Sequence, residues 1–199
     1  MKPFSVTWDY RCPFARNAHE HIVAALADGA DWDVTFLPFS LSQVHVPEGG
    51  TPVWDDPAKA PDLTALAAGV VVRDQYPEQF GAVHGALFSA RHDEGLDLRK
   101  ADVVSGVLDR AGVPGAKVLA EIESGSPINE IRQAHTQAVD EWSVFGVPTF
   151  VVDGRAVFVR LMSRPGGDAA LARRTIEGVV HLFETQPDLN EFKYTTLSR

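Results

Sequence analysis

The residues of this chain whose placement could do chemistry are one cysteine at a helix start and one proline leading into a strand. Cys12 is the only cysteine in 199 residues and stands in Asp9-Tyr10-Arg11-Cys12-Pro13. Unpaired N–H groups at a helix start, together with the positive end of its dipole, favour a thiolate over a thiol. Such positions bring a cysteine from about 8.5 into the range ~3.5–7.5. The thiolate is the nucleophile of disulfide exchange and of conjugation. Arg11 and Arg16 add positive charge to that expectation. The plain alternative is a buried, inert sulfur, because free cysteines are among the most buried residues. A strand–Cys–Pro–helix placement favours the reactive reading. Tyr10 and Phe14 flank the cysteine and could wall a hydrophobic ligand or simply pack.

Pro148 is the second candidate. It opens Val147-Pro148-Thr149-Phe150-Val151-Val152, a β-branched and aromatic run. Proline cannot donate to a sheet ladder, so it belongs at a strand's first residue or at an edge. Both a cis bond marking a functional turn and an ordinary trans bond fit that position.

The elements that must hold these residues are readable around them. Phe4 to Trp8 alternates as a strand does. Pro13 suits the first helical position, and apolar residues at 14, 18, 22, 25 and 26 form one stripe ending near Asp28-Gly29. Trp32, Val34 and Phe36 alternate again up to Pro38. This is strand, helix, strand, with a parallel pairing as the default. Residues 42–60, rich in Pro, Gly and Asp, read as a loop. Apolar stripes around Phe80–Phe88, Val103–Leu108, Val118–Ile122 and Ile128–Trp142 predict helices punctuated by Gly and Pro. The run beginning at Val147 turns at Asp153-Gly154, a hairpin signal, and returns over 156–160. Asp168 is a candidate N-cap for a last helix carrying Ala172, Ile176, Val179 and Phe183. The reading is an α/β chain: residues 1–58 and 143–199 form one domain, and 59–142 form an all-helical insertion.

Composition narrows the partners. The formal charge is −9 and basic residues are scattered, which argues against nucleic acid. No apolar run approaches the ~20 residues of a membrane span. The first residues carry no charged segment followed by an apolar one, so a cytoplasmic protein is expected. A single cysteine excludes an intramolecular disulfide and a zinc site of several thiolates, and no metal is expected. Each of the seven histidines reads as surface or capping, with His135, on an apolar stripe, the best outside candidate to face a cleft. Trp54, in the loop, is the tryptophan placed to touch a ligand. Gly166-Gly167-Asp168 could offer N–H groups to a carboxylate. No exposed apolar helix face stands out, so both a monomer and a homodimer fit.

Cys12-Pro13-Phe14-Ala15 at the first helix and Gly146-Val147-Pro148-Thr149-Phe150 before a hairpin, with helices between, resemble the DsbA family of the thioredoxin fold. The similarity spans nearly the whole chain. It implies a thioredoxin-like βαβ…ββα fold with a helical insertion. It implies that Cys12 attacks; from their places around it, Pro13 shapes the turn, and Arg16, Tyr10 and Phe14 are candidates to bind the thiol substrate. It also implies that Val147-Pro148, in cis, lies opposite Cys12 and offers backbone groups to a substrate.

Ala15 departs from that family's Cys-x-x-Cys motif, so a dithiol cycle within one chain is impossible. What remains is a mixed disulfide resolved by a small thiol, with glutathione or mycothiol as co-substrate and no permanently bound cofactor. The alternative is a glutathione- or mycothiol-dependent transferase, isomerase or nitroreductase acting on an aromatic compound. Kappa-class glutathione transferases and hydroxychromene-carboxylate isomerases are similar in scaffold but usually carry Ser at the cysteine position. Phe158 to Pro165 and Asn190-Glu191-Phe192-Lys193 resemble parts of mycothiol-dependent nitroreductases of the FrnE-like subgroup. A third reading is a non-catalytic thioredoxin-fold binding module.

Overall fold

The computed structural model describes residues 3–194 and 196. Strand β1 (Phe4–Trp8) is followed by helix α1 (Pro13–Ala27) and strand β2 (Val34–Pro38). β1 and β2 pair in parallel, Val6 opposite Phe36. Phe4, Val6 and Trp8 are all buried, as a central strand requires. Gly29 takes a φ of 81° just after α1, the left-handed step by which many helices end.

The segment read as a loop holds more structure than its composition suggests. It contains the short helix α2 (Leu41–Val44), capped by Ser40, and a 3-10 segment over Pro57–Leu63, capped by Asp56. Capping side chains supply the hydrogen bonds that make such short pieces viable among prolines. Trp54 does not project from the loop as a free side chain. It packs edge-on against His135, with ring centroids 5.6 Å apart.

Five helices follow: α3 (Thr64–Gln75), α4 (Pro77–His92), α5 (Ala101–Arg110), α6 (Gly115–Glu123) and α7 (Ser126–Trp142). The first is the centre of this layer, with Ala65 through Val72 all buried. Its neighbours α4, α5, α6 and α7 pack around it. An apolar helix surrounded on all sides shows no amphipathic stripe, which is why its sequence has no clear period.

Strands β3 (Thr149–Val152) and β4 (Arg155–Phe158) complete the sheet in the order β2-β1-β3-β4. β3 runs antiparallel to β1, with Val6 opposite Phe150. Asp153 and Gly154 have φ of 50° and 72°, the pair of positive values that a two-residue type I′ hairpin needs. Helix α8 (Ala169–Thr185) packs along α1 and touches β3. Helix α4 packs on α1 and α7 on β2, which joins the helical layer to the sheet half. The arrangement is a mixed four-stranded sheet with a predominantly helical remainder. Among the described residues no helix is long and apolar enough to cross a membrane.

Candidate active site

Helix α1 begins at the carboxyl end of β1, and Cys12 is its N-cap residue. The Ala15 N–H donates to Cys12 Sγ at 3.4 Å. The thiol in turn donates to the Val147 carbonyl oxygen at 3.2 Å. The Val147–Pro148 peptide is cis. A residue from the first helix and one from the approach to β3 thus meet across 135 positions of sequence. Cys12 is only 9% exposed.

Burial reverses the expected electrostatics at this sulfur. Desolvation pushes the Cys12 thiol up from its ordinary value, and the nearby Asp9 carboxylate adds to that. The N–H groups of Ala15 and Phe14 pull the other way but do not prevail. The helix mouth is present, but burial shifts the thiol up rather than down.

Arg16 is also differently employed. Its guanidinium lies on Asp93 and on Glu20, with Nη1 2.8 Å from Asp93 Oδ1 and Nε 2.8 Å from Glu20 Oε1. Arg164 joins them through Glu20. Asp93 is held at about 2 by hydrogen bonding to Arg16. A guanidinium matched to two carboxylates has no surplus charge for a sulfur, so Arg16 is a strut between α1 and α4. Arg11 is exposed and bonds the Ser42 hydroxyl.

Tyr10 is buried and turned into the helical layer, so it does not wall the thiol. Its hydroxyl bonds His84 Nδ1 at 2.8 Å. Phe14 is half-buried, with the Arg160 guanidinium 5.4 Å above its ring. Pro13 is exposed at the first helical position. Of the seven residues singled out from the sequence, the sulfur of Cys12 and the backbone of Val147-Pro148 meet directly. Pro13 and Phe14 adjoin them in the chain, while the side chains of Tyr10 and Arg16 point elsewhere.

Sequence reasoning missed Asp9. Its carboxylate is 4% exposed, accepts from Arg11 N at 2.9 Å and Leu41 N at 2.8 Å, and so ties the Cys12 turn to the turn after β2. Burial raises its pKa, against those two N–H groups. An acid beside a β-strand end looks like a surface turn residue, and only the fold reveals its burial. The same holds for four of the seven histidines, whereas His45 and His181 are exposed as expected. His19, His21, His84 and His135 are buried, and burial lowers His19 and His135 to about 4. His135 stacks on Phe39 at 4.1 Å and lies within the core. Of the N–H groups after Gly166-Gly167, that of Leu171 is taken by the Asp168 side chain, at 2.8 Å.

An aromatic surface adjoins Val147 in the chain. Phe145 is 66% exposed and leans on Phe158, with centroids 5.1 Å apart. Only Gly146 separates it from Val147 in the chain. No group of three or more histidines, cysteines or carboxylates suited to a metal occurs among the described residues.

The family model of the DSBA-like thioredoxin domain matches residues 5–162. This chain belongs to that family. The matched span includes both Cys12 and Val147-Pro148. Solved structures agree on the fold. Pseudomonas aeruginosa DsbA superposes with a TM-score of 0.58 at 21% identity, over 92% of this chain and 86% of its own. A cytosolic disulfide reductase, DsbM from Pseudomonas aeruginosa, gives 0.61 at 14% identity, over 90% and 99%. A 2-hydroxychromene-2-carboxylate isomerase gives 0.59 at 15% identity, over 94% and 99%. Comparison with curated proteins produced no match. At these identities the solved structures speak for the shared thioredoxin-like architecture of the family.

Proposed function

We propose that this DSBA-like protein is a thiol–disulfide oxidoreductase that works with one cysteine. The observation that carries the reading is the Cys12 sulfur capping α1 while donating to the Val147 carbonyl, 3.2 Å away, at the cis Val147–Pro148 peptide. In the resting protein this hydrogen bond favours the thiol, as does burial. A substrate that pairs in extended form with the Val147 backbone takes that carbonyl from the sulfur. The sulfur is then left with the Ala15 and Phe14 N–H groups, which favour the thiolate. Substrate docking and activation of the nucleophile are in this way one event.

The chemistry follows from the residue count. The Cys12 thiolate attacks one sulfur of a disulfide, a Cys12–substrate disulfide forms, and the other sulfur leaves as a thiolate. Position 15 is alanine and the chain has no second cysteine, so no internal thiol can resolve the intermediate. A second, low-molecular-weight thiol attacks the mixed disulfide, releases Cys12 and carries away the substrate's sulfur as a new disulfide. Glutathione and mycothiol are thiols of this kind, and a cytoplasmic setting keeps them reduced. No bound cofactor is needed. Two structural neighbours, a disulfide reductase and an isomerase, lend support to an enzyme of this class.

A second reading has its own observation. The exposed Phe145 with Phe158, two positions before Val147 in the chain, and Phe14 under Arg160, two positions after Cys12, offer apolar surface and a cation. They suit an aromatic, anionic compound transformed with a small thiol as co-substrate, by transfer, isomerisation or nitro-group reduction.

The deciding experiment incubates the protein with an oxidised small thiol and follows the adduct on Cys12 by intact-mass spectrometry. A single adduct, released by added reduced thiol and absent in Cys12→Ala, is the expected result. Turnover of disulfide that survives in Cys12→Ala would overturn the reading. Turnover of an aromatic substrate without any Cys12 adduct would favour the second.

A further inference from the structure

An unbroken hydrogen-bond chain runs through the interior from Tyr10 to the Thr7 backbone. Tyr10 Oη lies 2.8 Å from His84 Nδ1, His84 Nε2 lies 2.9 Å from His19 Nδ1, and His19 Nε2 lies 3.0 Å from the Thr7 carbonyl oxygen. The last bond fixes the direction of all the others. A carbonyl only accepts, so His19 carries its proton on Nε2 and its Nδ1 accepts. His84 must then donate from Nε2 and accept on Nδ1, and Tyr10 must donate. Both imidazoles are neutral, as their burial demands. Every polar atom of the two rings is used.

Both ends of the chain reach the thiol site. Tyr10 precedes Cys12 by two residues, and its own carbonyl accepts from His92 Nε2 at 2.9 Å. Thr7, at the other end, holds the cis-proline segment: its hydroxyl accepts from Thr149 N at 2.8 Å and faces the Gly146 carbonyl oxygen at 3.5 Å. The middle of the chain, His84, belongs to α4 of the helical layer. The rings sit among Trp8, Phe36, Phe80 and Phe88. Apolar rings of similar size would fill that space, but packing alone leaves their neighbours free to shift. A directed, fully satisfied hydrogen-bond chain specifies one arrangement.

We infer that Tyr10, His84 and His19 are positioning residues for the thiol site, which hold the Cys12 turn and the Gly146–Thr149 segment in register through the helical layer. The inference rests on reading Cys12 as the reacting thiol. Cutting the chain lets the turn move away from Val147. The sulfur then loses its acceptor and gains water, so it ionises more easily while substrate is aligned less well.

The test compares Tyr10→Phe, His84→Gln and His84→Leu with the wild type, and with Val118→Ala as a control. Val118 is a fully buried residue of α6, a helix that supplies no member of the chain. Two quantities are read: the pH profile of Cys12 alkylation by iodoacetamide, and thiol–disulfide exchange with an oxidised small thiol. In Tyr10→Phe and His84→Leu the alkylation inflection moves down towards the ~8.5 of a free cysteine. Each unit of that shift raises the rate at pH 7 about tenfold. Disulfide exchange falls by a similar factor. His84→Gln, which keeps a donor and an acceptor, recovers most of both. The Val118→Ala control changes stability without moving the profile. An unmoved profile in folded Tyr10→Phe would overturn the inference, as would an equal shift in Val118→Ala. If His84→Leu does not fold, Tyr10→Phe, which removes one oxygen, still decides. Alkylation needs no turnover, so it judges the positioning even if the wild type exchanges no disulfide, an outcome that would sink only the functional reading.

Discussion

Helices α1 and α8 pack against each other and open with the same device. In each, the N-cap side chain accepts the N–H three residues on: Cys12 from Ala15, Asp168 from Leu171. Their surroundings differ in everything else. Asp168 is exposed and follows two glycines with positive φ. Cys12 is 9% exposed and follows Asp9 and Tyr10, both buried and hydrogen-bonded. A helix mouth contributes typically ~0.3–1 kcal/mol to a charge placed there. Taking a charged group out of water costs several-fold more unless it finds a partner. The mouth of α8 therefore meets an anion in water, where the modest dipole is enough. The mouth of α1 meets a thiol out of water, where it is not. A helix start predicts a low-pKa cysteine only when its exposure is known as well.

The largest expected effect separates chemistry from capping. Cys12→Ser keeps an oxygen that can cap α1 but removes the sulfur. Thiol exchange falls by ~10³-fold or more, the scale of losing a nucleophile, while the urea midpoint moves little. Asp168→Ala leaves exchange within twofold of wild type. Comparable exchange rates in Cys12→Ser and wild type would break the contrast at its root.

The next effect tests what holds the two approaches. A Cβ added at Gly69 would lie 2.5 Å from Tyr10 Oη. Gly69→Ala in α3 is expected to destabilise the protein by ~1–3 kcal/mol through overpacking and to speed Cys12 alkylation at neutral pH. The alanine replacing Gly167, before Asp168, has no such neighbour and meets only its unfavourable φ of 87°. Denaturant midpoints of the two variants measure the difference.

A third expectation is a pH dependence. Burial places the folded-state pKa of Cys12 above that of the unfolded chain. The contribution is fully present below about 8.5, the unfolded value, and is lost as pH rises through the higher folded value. Urea midpoints should fall across that alkaline window in the wild type, and the part due to Cys12 should vanish in Cys12→Ser. Identical slopes in the two proteins would show that the sulfur is solvated after all. The smallest effect belongs to the exposed mouth: Asp168→Ala should cost ~1 kcal/mol, the usual value of an N-cap, with an unchanged alkylation profile.

Much of the fold was legible because it rests on local periodicity. The alternation in β1, the stripe of α1, the Asp153-Gly154 turn and the Asp168 cap all describe neighbours in sequence. Helix α3 was not legible as a separate element, since burial on all sides erases the period that reveals a helix. Of the site, Cys12 and Val147-Pro148 stood out because a helix-starting cysteine and a strand-leading proline are unusual locally. Whether that cysteine lies in water depends on residues far along the chain, and this decided its pKa. His19 and His84 are 65 positions apart and Arg16 is 77 from Asp93. No window of sequence contains either pair.

The 135 positions between Cys12 and Val147 also set an order of events during synthesis. At about 5–20 residues per second, the ribosome needs roughly 7–27 s to extend from one to the other. Strand β1 can find β2 early, but its other neighbour, β3, emerges only after the whole helical layer. The nascent chain therefore carries an uncovered thiol for many seconds, without its carbonyl acceptor or its burial. In that interval Cys12 behaves as an ordinary cysteine, open to any disulfide in its surroundings. An adduct acquired then would meet a closing cavity with 9% of the cysteine left exposed. Reduced small thiols present during translation would thus be needed for the newborn protein to close over a free sulfur, before any of them serves in turnover.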